Sequence, residues 1–189
     1  MTHEEASLQT KTLLAETLKQ LMQKKPLNKI TVTELIKECN INRKTFYYHF
    51  QDIYDLLKWI LDKEAIEIVK SYDFLLDYEE AVTFTISYVQ KNAHILNCAY
   101  SSIGREEMKR FFKKDFMDVV SKIINGLKDE INPTLSTDFI NFLIEFYTEA
   151  LASTLVSLFS EPDQRSTEQL VDYISMIFTH SIPAVLKNS

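Results

Sequence analysis

Two glycines and four prolines in 189 residues constrain this chain more than any other feature. A β-sandwich or a parallel α/β sheet must turn back about every ten residues, and it uses Gly, Pro and Asn/Asp clusters to do so. So few turn formers favour few, long elements, which predicts an all-α fold. With 46% apolar and 25% charged residues the composition is that of a globular chain. Its length allows one domain or two small ones, each able to bury a core.

Several classes are disfavoured at once. No run of about 18 apolar residues occurs, so no membrane span is expected. The opening Met1-Thr2-His3-Glu4-Glu5 is polar and acidic, unlike a secretory leader, which points to the cytoplasm. Cys39 and Cys98 have neither metal-ligand nor disulfide-framework spacing and read as small buried hydrophobes in a reducing compartment. The histidines show no His-Glu-x-x-His spacing, and there is no Gly-rich phosphate loop or nucleophile elbow. Neither catalysis, a metal nor a cofactor is expected.

The charge is uneven. Residues 1–51 hold eight Lys/Arg and five Asp/Glu, a surplus of +3, whereas 52–189 hold thirteen and twenty-two, or −9. A basic head on an acidic body suits a protein that meets a polyanion with one end. The predicted division is a helix-turn-helix domain over 1–51 and a helical bundle domain over 52–189.

Local signals place the elements. Leu14, Leu18, Leu21 and Met22 form one stripe of a first helix, expected over 7–24 and stopped by Pro26. Thr31-Val32-Thr33-Glu34 has the spacing of a capping box and opens a second helix. Asn40 tolerates the left-handed conformation that ends it, and Asn42 caps a third helix over 43–50. Asp52, with Asp55 at the box position, starts a fourth, expected to reach Lys70. Leu35, Ile36, Ile41 and Phe46 are the predicted core of the unit. Further helices are expected over 78–91, 93–101, 105–129, 137–160 and 167–187, with breaks at Asn92, Gly104, Asn132-Pro133 and Glu161-Pro162-Asp163.

Arg43 to Phe50 carries the chemistry. Phe46 and Phe50 lie four apart and face inward, leaving Arg43, Lys44, Tyr47 and Tyr48 to project outward. A helix in the major groove presents its first turns to base edges, so these four are the expected base readers. Thr31, Thr33, Asn42, Thr45 and His49 are the expected groups at or near phosphates.

The stretch from Ile30 to Ile36, through Thr45-Phe46-Tyr47-Tyr48-His49-Phe50 and on to Tyr54-Asp55-Leu56-Leu57, resembles the TetR family of regulators. The resemblance implies an all-helical homodimer whose amino-terminal domain binds a near-palindromic operator and whose carboxy-terminal domain dimerises and binds a small-molecule effector. It further implies repression relieved by that effector. Asn40 and Pro26 stand where the family usually has Gly, and Ile53 replaces a frequent lysine, so that lysine's phosphate contact is not carried over. Lys58-Trp59-Ile60 and the Tyr- and Phe-rich remainder are similar to a subgroup that includes a regulator of dihydroxyacetone kinase genes acting with a protein partner. The rival reading is therefore a co-activator working mainly through such a partner.

Two site expectations follow for the second domain. Phe139, Leu143, Phe146, Leu151, Leu155, Leu158, Leu170, Ile174 and Ile177, on the last two helices, are the expected dimer contacts. Phe84, Tyr88, His94, Cys98, Phe112, Phe116 and Tyr147 are the expected lining of an effector pocket.

Overall fold

The computed structural model describes residues 2–72, 78–160 and 165–189, and among these every regular element is helical. In chain order they are α1 (His3–Met22), α2 (Val32–Glu38), α3 (Arg43–His49), α4 (Ile53–Leu61), α5 (Glu67–Ser71), α6 (Tyr78–Lys91), α7 (Ala93–Ile103), α8 (Arg105–Ile131), α9 (Thr137–Ser160), α10 (Thr167–Met176) and α11 (Ile182–Asn188). The expected break at Glu161-Pro162-Asp163 lies outside the described residues.

Three elements differ from expectation for local reasons. α1 begins four residues early, because Thr2 and Glu5 form a reciprocal capping box ahead of Ser7. The expected fourth helix is interrupted by a π turn over Asp62–Ile66, and the last by another over Ile177–Ser181. A π turn inserts one residue into the helical repeat and leaves no composition signal.

The chain packs as two compact units. The first runs to Glu67 and takes in His94–Ser102; the second comprises Ile68–Ala93 and Ile103–Ser189. Packing thus divides the chain later than the charge boundary at 51/52, because α4 buries Ile53, Leu56, Leu57, Ile60 and Leu61 within the first unit. The core of that unit is built on the predicted stripe Leu14, Leu18, Leu21 and Met22, with Leu35, Phe46 and Phe50. Ile36 and Ile41 are only half-buried. Leu96 and Ala99 of α7 complete the core.

In the second unit α8 and α9 pack along their lengths. Val120 and Ile124 meet Ile140, Leu143, Ile144 and Tyr147, with Ile182 and Leu186 of α11 closing the cluster. Each such aliphatic side chain contributes about 1.5–3 kcal/mol by leaving water. Gly104, at φ +83°, starts α8 in a backbone region that side-chain-bearing residues rarely enter. By length and composition Thr137–Leu158 is apolar enough to cross a membrane, with mean hydropathy 1.3. It nevertheless carries Glu149, which pairs with Lys109 and Lys113 of α8, and it buries one side in the cluster just described. That is the behaviour of a core helix.

Candidate functional site

The helix-turn-helix is assembled by its caps. The Thr31 hydroxyl accepts from the Glu34 N–H at 3.2 Å, but the reciprocal half of the expected box is absent, because the Glu34 carboxylate pairs with Lys25. Asn40 takes φ 52°, the left-handed turn expected of it. Asn42 Oδ1 then accepts from both the backbone N–H and the hydroxyl of Thr45, at 2.8 and 3.1 Å. Asp52 Oδ1 accepts from the Asp55 N–H, while Asp55 reaches past the cap to the Gln51 N–H. The start of α3 is therefore fixed locally, by Asn42 and Thr45.

α3 divides cleanly into two faces. Phe46 is fully buried and Phe50 nearly so. Tyr47 and Tyr48 are exposed, at 48% and 68%, as are Arg43 and Lys44. The Arg43 guanidinium lies 5.6 Å from the Tyr47 ring centre, and one of its N–H groups donates to the Tyr47 hydroxyl at 3.4 Å. This holds two long side chains parallel on one outward face. Thr33 is exposed at the start of α2, whereas Thr45 is half-buried and its hydroxyl is engaged by the cap. His49 is half-buried, its ring 4.9 Å from that of Tyr48. Desolvation, then the charges of Lys11 and His3, push its imidazole below its ordinary value.

The second unit holds a partly open cavity of about 70 Å³. Its walls are almost wholly aliphatic and aromatic, including Val82, Ile86, Phe116, Leu155 and Phe178, with Thr85 and Thr154 the hydroxyl-bearing residues. Of the expected pocket residues only Phe116 lines it. Two of the others belong to the first unit: a His94 ring nitrogen sits 2.9 Å from the Met22 carbonyl, and the Cys98 thiol donates to the Lys25 carbonyl at 3.6 Å. Both therefore secure the end of α1. Phe84 and Tyr88 stack on one another along α6, Phe112 is buried beside Phe111, and the Tyr147 hydroxyl bonds Ser181 at 2.7 Å. Thr85 and Thr154 escaped sequence reasoning because a threonine inside a helical stripe carries no signal of what it faces.

The expected dimer contacts also separate by burial. Leu143, Leu155 and Leu170 are buried, and Phe139 and Leu151 are half-buried against the α8–α9–α11 cluster. Leu151, Leu155, Leu158 and Ile174 line the cavity. These side chains are spent inside the unit. Phe146 and Ile177 are exposed, at 57% and 48%, as are Phe142 on α9 and Tyr173 and Met176 on α10. The Tyr147–Ser181 hydrogen bond, at 2.7 Å, ties α9 to the second π turn.

Comparison with known proteins fits this geometry. Residues 14–60 match the family model for bacterial regulatory proteins of the tetR family, and residues 77–180 match that for a transcriptional regulator C-terminal region. A curated relative, the HTH-type dhaKLM operon transcriptional activator DhaS of Lactococcus lactis subsp. lactis (strain IL1403), is 23% identical over 118 residues. That stretch spans 62% of this chain and 62% of the relative. A solved structure described as the dihydroxyacetone kinase operon activator DhaS superposes with a TM-score of 0.71 at 20% identity, covering 93% of this chain and 97% of that one. At this identity the superposition speaks for the fold alone.

Proposed function

As the chain belongs to the TetR family of bacterial regulatory proteins, a family of transcriptional regulators that bind DNA, we propose that it works in the cytoplasm as a homodimer on a near-palindromic operator, and that a small molecule in its second unit alters that binding. The observation that carries the DNA reading is the outward face of α3. Arg43, Lys44, Tyr47 and Tyr48 project from a helix whose start is fixed by Asn42 and whose other face is locked by Phe46 and Phe50. Side chains held this way lose little freedom on meeting base edges, and each good base contact is worth about 1–3 kcal/mol of discrimination. Thr31, Thr33 and His49 flank that face and are suited to phosphates; Thr45, engaged by Asn42, serves the cap first.

The homodimer reading is supported by exposed apolar side chains, the stacked Phe142 and Phe146 of α9 together with Tyr173 and Met176 of α10, since apolar surface left uncovered marks an interaction site. Two copies joined there would set two α3 helices on successive major grooves, about 34–36 Å or somewhat more apart. The effector reading rests on the cavity. Its aliphatic walls and scarce hydroxyls suit a small uncharged apolar molecule, because a charged one would be stranded without a partner.

Repression needs only that an occupied operator block transcription, and it is the sign we propose. Activation is the second reading, favoured by the similarity to a relative that is a transcriptional activator. One experiment addresses both. Duplexes selected from a random pool by the purified protein should converge on an inverted repeat, with protection of both half-sites in footprints. Transcription in vitro from a promoter carrying that repeat gives the sign. A pool that converges on no sequence would refute the operator reading.

A further inference from the structure

α1 brings a second set of hydrogen-bond donors, one of them the Lys11 ammonium, to the edge of the reading helix. His3, Ser7 and Lys11 are spaced i, i+4 and i+8, so they share one face of α1. That face runs beside the end of α3: the His3 ring lies 6.4 Å from Tyr48, and the Lys11 ammonium 5.9 Å from the ring centres of both Phe50 and Trp59. Among the described residues no carboxylate forms an ion pair with Lys11. Glu5 is turned away into the cap, where its carboxylate accepts from the Thr2 N–H at 2.8 Å, and Glu4 lies about 100° round the helix from His3. His49 sits where the two helices meet.

We propose that His3, Ser7 and Lys11 of α1 form, with His49, a strip that grips one run of DNA backbone phosphates, and that binding there is coupled to proton uptake at His49. The inference rests on the DNA-binding reading and adds to it a surface on a helix outside the helix-turn-helix, together with a dependence on pH.

The physical argument begins with what faces His49. The charged and titratable groups around it are Lys11 and His3 of α1, with Tyr48 beside it on α3; on the α4 side it meets only rings, Phe50 and through it Trp59. Burial first, and then the neighbouring Lys11 ammonium and His3 ring, disfavour its protonated form in the free protein. A phosphate brought against the strip reverses the sign of the local field, so protonation becomes favourable on binding. Proton uptake then couples to affinity between the lowered free value and the raised bound value. Affinity is greatest below that window and falls as pH rises through it. Lys11 contributes differently: as a permanent cation it acts through counterion release, and so through salt.

Binding of the full-length protein to a labelled duplex of random sequence, followed by fluorescence anisotropy, tests this. Random sequence isolates backbone contacts from base reading. Wild-type affinity should fall by about tenfold per proton for each pH unit within the window. The double variant His3→Gln, His49→Gln should vary by less than about threefold from pH 5.5 to 8. Lys11→Gln should reduce the slope of log affinity against log salt by about one. Circular dichroism of each variant verifies the helical content. A double variant that keeps the wild-type pH profile, or a Lys11→Gln protein with the wild-type salt slope, would overturn the strip and leave the α3 reading intact. A wild-type protein that binds no duplex at any pH would overturn both.

Discussion

Replacing Phe146 by alanine separates association from folding in this protein, because the ring is 57% exposed in the protomer yet belongs to the proposed dimer surface. A phenylalanine offers roughly 200 Å² of area for burial, so about 110 Å² remains for a partner to cover. At about 25 cal/mol per Å² this is close to 3 kcal/mol, of which alanine retains roughly a third. Symmetry counts the loss twice in a two-fold dimer, giving about 4 kcal/mol and a dissociation constant weakened about a thousandfold. Sedimentation velocity over a nanomolar to micromolar series reads this directly. Leu143, 5% exposed and packed in the α8–α9–α11 cluster, supplies the contrast. Leu143→Ala should cost about 2–5 kcal/mol of folding stability, with the loss showing in denaturation. Phe146→Ala with the wild-type dissociation constant, or a wild-type protein monomeric at micromolar concentration, would refute the reasoning.

Two further outcomes follow from local geometry. Asn40→Gly should preserve the turn before α3, whereas Asn40→Val should cost about 1–2 kcal/mol, seen as faster hydrogen exchange across α2 and α3, because φ 52° crowds a branched side chain. Hydrogen bonds from Lys109 and then Lys113 hold the Glu149 carboxyl below its ordinary value. Its contribution to stability is therefore complete above the unfolded value and lost as pH falls through the folded one. Glu149→Gln should destabilise by less than about 1 kcal/mol at neutral pH, and thermal melts of the two proteins should converge in acid.

Legibility in the sequence tracked the range of the interaction. Thr31, Asn40, Asn42 and Asp52 act on backbone within four residues, so the helix-turn-helix could be read from spacing alone. The Thr2–Glu5 box was equally local and was a usable signal for the start of α1. His94 and Cys98 meet carbonyls 72 and 73 residues away, and no periodicity in α7 announces that it packs on α1. The same holds for the cavity. α6, α8, α9 and α10 each carry several apolar stripes, and which stripe faces a void depends on how four helices pack together. Helix length was easier to foresee than helix continuity: both π turns fall inside strongly helical patterns.

The chain has one tryptophan, and its position makes the protein its own optical probe. Trp59 stacks edge-on against Phe50 at 6.0 Å, one ring away from α3, with the Lys11 ammonium 5.9 Å from its own ring centre. Indole emission responds to nearby charge and to water access. Any event that shifts α3 or draws Lys11 towards a phosphate therefore changes the colour and intensity of a single emitter. Occupancy of DNA becomes measurable in unmodified protein, without dye on either partner.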